Sequence, residues 1–212
     1  MSRARVRFTA PPRIVLLGHP ALRRVAAHVD DVRSPEVKRV VRLLLLGLDA
    51  QDGSGLAAPQ IGESRRIIAI RDLFNRLEGK EVIAPHLGDA HRARLLGVLP
   101  VVAINPVITA SSAEEEEDWE ACLSLPALHG LVSRPKSISV RFTTVDGDEV
   151  EHTCTGWGAR VFRHEMDHLD GTLFVDKLRG GAADLVHESE ISHHLQDDES
   201  AEPTADESPS GK

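Results

Sequence analysis

Tyrosine is absent from this 212-residue chain, and the other large aromatics are few, with five Phe and two Trp. Surfaces that bind single-stranded nucleic acid by stacking need exposed aromatic faces, so this scarcity argues against such a platform. Positive charge is in deficit too. The formal charge of -8 argues against phosphate binding as the main business of the chain, so no direct nucleic-acid reader is expected. Only two cysteines occur, Cys122 and Cys154, too few for a disulfide framework. In a reducing compartment, metal or catalytic roles are the better expectation for them. No apolar run approaches the length of a membrane span, so no membrane partner is expected. The longest, Leu43 to Leu46 with Leu48, is flanked by Arg42 and Asp49. Arg3, Arg5 and Arg7 make the start of the chain basic, but no long apolar region or small-residue cleavage site follows. A cytoplasmic protein is expected.

With aromatics scarce, the core must rest on Leu, Val, Ile and Ala. Residues 1–12 read as a flexible arm ending in Pro11-Pro12. Ile14 to Leu17 is a short apolar run closed by Gly18 and Pro20. A helix fits Ser34 to about Ala50, with Ser34 as N-cap and Pro35 at the first helical position. Val37, Val40, Val41, Leu44, Leu45 and Leu48 recur on one face of it. Ile67 to Ile70 and Val101 to Thr109 read as strands, separated by an irregular insertion over residues 71–99. The acidic run Glu114 to Asp118 reads as a solvated loop. Ile138 to Val145 and Glu149 to Thr155 read as a hairpin around Asp146-Gly147. Gly156 and Gly158 precede a helix carrying Arg160 to Leu169. Residues 181–196 are expected to form one more helix, and residues 197–212 a disordered acidic tail. Paired strands and a late helix favour an α+β fold over an alternating parallel-sheet fold.

His164-Glu165-Met166-Asp167-His168 fits H-E-x-x-H. On a helix, positions i and i+4 share one face, so the two imidazoles can hold one metal ion. Glu165 is then placed to take a proton from an activated water without being a ligand itself. A hydrolytic site usually has a third protein ligand. The longer pattern with a third His fails, because Phe174 stands where that His would be. Glu188 or Glu190 would complete a thermolysin-like metallopeptidase. A thiolate is the other option. Cys154 lies in an expected strand and reads better as a small buried apolar group. Cys122 lies in an irregular apolar stretch, Trp119 to Pro126.

Three segments together resemble the peptide deformylases. Gly53-Ser-Gly-Leu-Ala-Ala-Pro-Gln60 is similar to the family's G-x-G-L-A-A-x-Q. Glu120-Ala-Cys-Leu-Ser124 is similar to E-G-C-L-S, and His164 to His168 to Q-H-E-x-D-H without its Gln. The resemblance spans about Ile14 to Leu178, and a catalytic domain over residues 13–180 is expected. It implies antiparallel or mixed sheets packed around a central helix that carries H-E-x-x-H. It implies one divalent metal ion held by Cys122, His164 and His168, natively Fe(II), with Zn, Ni or Co able to occupy the site. Glu165 would move the proton, while Gln60 and the Leu123 N–H would bind the formyl oxygen. The implied reaction removes formyl from N-formylmethionine on nascent polypeptides and releases formate. Trp157 and Val161 lie on the metal-bearing helix face and would line a methionine pocket with Leu125. Gly55 would let the peptide backbone approach closely, and Glu120 would pair with Arg134.

Two positions depart from the pattern. Ala121 replaces the usual Gly, which matters if the site needs positive φ or room beside the metal. Arg163 replaces the usual Gln, and it would matter if it faced the cleft. Both leave open a family member acting on another N-acyl group. The acidic tail would be repelled by ribosomal RNA, so ribosome docking through it is not expected.

Overall fold

The computed structural model describes residues 10–51, 53–71 and 100–194. The first helix, α1, spans Pro35–Gln51, and the Ser34 Oγ accepts the Val37 N–H at 3.3 Å, as its N-cap assignment predicts. Five strands form one antiparallel sheet: β1 (Gly55–Ala57), β2 (Ile67–Ile70), β3 (Val101–Ser111), β6 (Ser137–Thr143) and β7 (Glu149–Thr155), in the order β1-β2-β3-β6-β7. A second antiparallel sheet, in the order β4-β5-β8, is built from β4 (Glu115–Cys122), β5 (Leu125–Pro135) and β8 (Val186–His187). The second helix, α2, spans Gly156–Leu169. The α+β expectation is met.

Strand β2 is buried on both faces, which explains its unbroken apolar sequence. Ile67 and Ala69 join Val37, Val40, Leu44 and Leu48 of α1 in one apolar cluster. Ile68 and Ile70 join Ala159, Phe162, Met166 and Leu169 of α2 in another. A third cluster, with Leu22, Leu125, Val132, Leu173 and Phe174, lies under the smaller sheet. The β6–β7 hairpin pairs Thr143 with Glu149, as its turn signal predicts. The turn from β7 into α2 needs no loop. Gly156 makes it with φ +52°, and since a Cβ there would touch nothing, conformation rather than space calls for glycine.

Some expectations are corrected. The acidic run is not a loop. Glu115 to Asp118 lie on the first half of β4, exposed on the sheet edge, where their charge discourages strand pairing at that end of the edge. The stretch around Cys122 is a tight hairpin, with Cys122 opposite Leu125. The helix expected over 181–196 is broken. Gly181–Asp184 and Glu188–Glu190 are 3-10 turns, with β8 between them and one helical turn at 191–194. Helix α2 begins earlier than expected, at Gly156. Of the expected arm, residues 10–12 are described and carry no regular structure. Residues 1–9, the insertion beyond Arg71 and the tail over 197–212 lie outside the described residues.

Candidate active site

Helix α2 presents His164 and His168 one turn apart, and the β4–β5 hairpin brings Cys122 to them. The Cys122 Sγ lies 3.3 Å from the His168 Nε2. The three potential ligand atoms lie within 4.8 Å of one another. Among the described residues this is the one such group. The His164 Nδ1 is 2.9 Å from the Glu120 Oε2, which orients the ring and leaves its Nε2 for a ligand role. The His168 Nδ1 is buried and makes no hydrogen bond. Burial pulls the His168 pKa well down; at His164 burial acts the same way, but the hydrogen bonds to Cys122 and Glu120 outweigh it and raise that pKa. Metal ligation takes both rings in their neutral form. A thiolate and two imidazoles suit a borderline divalent ion, so the residues fit the metal the resemblance implies.

Glu120 is the hub of the polar contacts. Arg134 grips its carboxylate with two bonds, Nε to Oε1 at 2.8 Å and Nη2 to Oε2 at 2.9 Å, so the expected ion pair is present. Arg134 also reaches Asp167 of α2 at 2.6 Å. Burial would raise the Glu120 pKa, but the hydrogen bonds from Arg134 and His164 overcome it and hold the carboxyl down to about 2. Sequence reasoning missed one residue here. Arg160 donates to Glu120 at 3.0 Å and to the carbonyls of Val132 and Glu116, each at 2.7 Å. Its place one turn before His164 was the available signal.

Glu165 is 3% exposed, and its Oε2 makes no hydrogen bond. Burial pushes its pKa up to about 7; the nearby Glu120 adds to this and His164 opposes it. A carboxyl poised there exchanges a proton readily near neutrality. Gly55 is its opposite wall. A Cβ on Gly55 would sit 2.8 Å from the Glu165 Cδ. The glycine therefore makes room for the catalytic candidate.

Gln60 is buried in the 3-10 turn Ala58–Ile61 that follows β1. Its Oε1 accepts the Ala57 N–H at 2.8 Å, which fixes the amide orientation and turns Nε2 toward Cys122 Sγ, 3.5 Å away. Leu123 lies in the hairpin turn. These residues open on a cavity of about 480 Å³ whose walls also include Ala121, Leu125, Trp157 and Val161. Trp157 is 40% exposed at its mouth, and Val161 belongs as well to the α2 apolar cluster. A second hollow, about 350 Å³, lies beside α1 between Val41, Leu45 and Val145, and it contains none of these groups.

The remaining expectations sort clearly. Glu188 borders the cavity but is not part of the ligand group, and Glu190 bonds to Ser189, so the thermolysin-like arrangement is not formed. Cys154 is wholly buried among apolar side chains, and burial pushes its pKa up to about 12. Ala121 is absent from the residues with positive φ, so it carries no backbone strain there, and its methyl borders the cavity. Arg163 turns away from the cavity and donates to Ser111 Oγ at 3.3 Å.

Residues 11–183 match the sequence model of a family described as polypeptide deformylase. The chain is 39% identical over 170 residues to peptide deformylase 1 of Prochlorococcus marinus (strain MIT 9313), covering 80% of this chain and 82% of that one. It is 33% identical over 175 residues to peptide deformylase 2 of Nostoc sp. (strain PCC 7120), covering 82% and 90%. Among solved structures, the peptide deformylase of Thermotoga maritima superposes with a TM-score of 0.64 at 33% identity, over 79% of this chain and 97% of that one.

Proposed function

This chain belongs to the polypeptide deformylase family, and from that premise we propose how its residues divide the work of the reaction. The family is metal-dependent and removes the formyl group from N-formylmethionine at the start of nascent polypeptides, and this chain is a hydrolase of that type. Cys122, His164 and His168 would hold one divalent ion, natively Fe(II), with Zn, Ni or Co also suited to these donors. When bound, the ion supplies Lewis acidity, which lowers the pKa of a water and draws charge from the formyl oxygen.

Glu165 takes the proton of the attacking water and returns one to the leaving amine, and its carboxyl near neutrality supports both transfers. The Gln60 Nε2 and the Leu123 N–H donate to the oxygen as it gains charge. One such donor is worth on the order of 3 kcal/mol. Leu125, Trp157 and Val161 enclose the methionine side chain. Strands β1 and β4 are both sheet edges, with Gly55 and Ala121 on the cavity, so the peptide backbone fits between them as an added strand. The catalytic unit is residues 13–180, working in the cytoplasm. The acidic tail is not assigned to ribosome docking. The observation that carries this division is that the three-ligand group and a Glu165 carboxylate with its Oε2 unpartnered meet at one cavity.

The test is formate release from a formyl-Met-Ala peptide by protein purified without oxygen and loaded with metal. Glu165→Gln is expected to lower the rate by about 10²- to 10⁴-fold while the metal content stays the same. Unaltered formate release by Glu165→Gln would refute the role given to that residue.

A further inference from the structure

Three ligand atoms must meet, but they come from two separate pieces of chain. Cys122 ends β4, and the two imidazoles project from α2. Two arginines cross the gap between those pieces in opposite directions. Arg134 starts on β5 and reaches Asp167 on the helix. Arg160 starts on the helix and reaches the hairpin. They meet at Glu120.

The two braces differ in what they hold. Arg134 binds carboxylates only. Arg160 binds main chain as well as Glu120. Its Nη1 donates to the Val132 carbonyl at 2.7 Å and lies 3.4 Å from the Asp118 carbonyl, and its Nη2 donates to the Glu116 carbonyl at 2.7 Å. A side-chain acceptor can rotate away, but a strand carbonyl moves only if the strand moves. Arg160 is 4% exposed. Burying a guanidinium costs solvation that apolar packing at the same place would avoid, so general stability is a poor reason for an arginine here. Its place four residues before His164 puts it on the ligand-bearing face of α2.

We propose that Arg160 is a positioning residue, which sets the separation of the Cys122 thiolate from the two imidazoles by tying the main chain of the β4–β5 hairpin to α2. The inference rests on the ligand set given above. It demands more than a positive charge, because a lysine ammonium donates from a single atom and cannot replace two nitrogens bonded to carbonyls on different strands.

The experiment uses the full chain loaded with zinc or cobalt, with Arg160→Lys and Arg160→Met as variants. Circular dichroism and thermal melting establish that each is folded. Arg160→Lys keeps the charge and most of the stem, so it serves where Arg160→Met does not fold. Zinc release into a chromophoric chelator is expected to be about ten- to a hundredfold faster in both variants. The thiolate-to-cobalt charge-transfer band is expected to shift or weaken in both. Wild-type release and an unaltered cobalt spectrum in folded Arg160→Lys, with any loss confined to the melting temperature, would overturn the proposal. Failure of the wild type to bind zinc would overturn the ligand set itself, a distinguishable result.

Discussion

Helix α2 is held on two sides by different physics. Toward the five-stranded sheet it offers Ala159, Phe162, Met166 and Leu169, which pack against Ile68, Ile70, Val140 and Phe142. Toward the β4–β5 hairpin it offers Arg160, His164 and Asp167, which join Glu120 and Arg134 in a chain of hydrogen bonds and ion pairs. No residue of α2 belongs to the apolar cluster under the smaller sheet. Apolar burial supplies much free energy but little direction. Charge-assisted hydrogen bonds supply direction at a solvation cost. The helix is therefore anchored on one side and aimed on the other, and the aimed side carries the ligands.

This contrast can be broken by experiment. Arg134→Met should have the largest effect. It leaves Glu120 and Asp167 without their shared cation, at a cost of about 3–5 kcal/mol in urea unfolding, and metal retention should fall with it. A folded variant that keeps its metal as tightly as the wild type would mean the polar side does not aim the ligands. Ile68→Val trims the apolar side and should cost about 0.5–1.5 kcal/mol, with the metal release rate unchanged. If metal loss accompanied this smaller change, the division of labour would fail from the other direction. Arg163→Gln restores the residue usual in the motif. Because Arg163 turns to Ser111 and away from the cavity, stability should stay within about 0.5 kcal/mol and formate release should match the wild type. A changed formate rate would show that Arg163 reaches the reaction.

Much of the apolar packing was legible in the sequence, because its signals are the ones periodicity reports. The α1 face, the β2 run and the β6–β7 alternation all follow from apolar spacing. On the aimed side, helical spacing pointed to the His164–His168 pair and Glu165, while Cys122 as the third ligand and the Glu120–Arg134 pair came only with the family resemblance. Strand β5 hides from a hydrophobic pattern, since its buried positions include Gly130 and Arg134 beside Leu125 and Val132. Strand β4 hides because five consecutive acidic residues, Glu114 to Asp118, resemble a solvated loop, while its partner strand and edge position decide otherwise. Strand β8 is two residues long and owes its form to pairing with Leu128 and His129, a contact that no local window contains. Arg160 carried only a weak signal, its place one turn before His164, for a related reason. On a lone helix an arginine reads as surface, and only the hairpin laid across it supplies its acceptors.

Gly55 and Glu165 meet so closely that room for a methyl at one must be taken from the carboxylate at the other. Position 55 thus acts as a spacer for the acid: a side chain there could enter only by pushing the Glu165 carboxylate out of its present place, so a residue with no chemistry of its own fixes where the proton is handled.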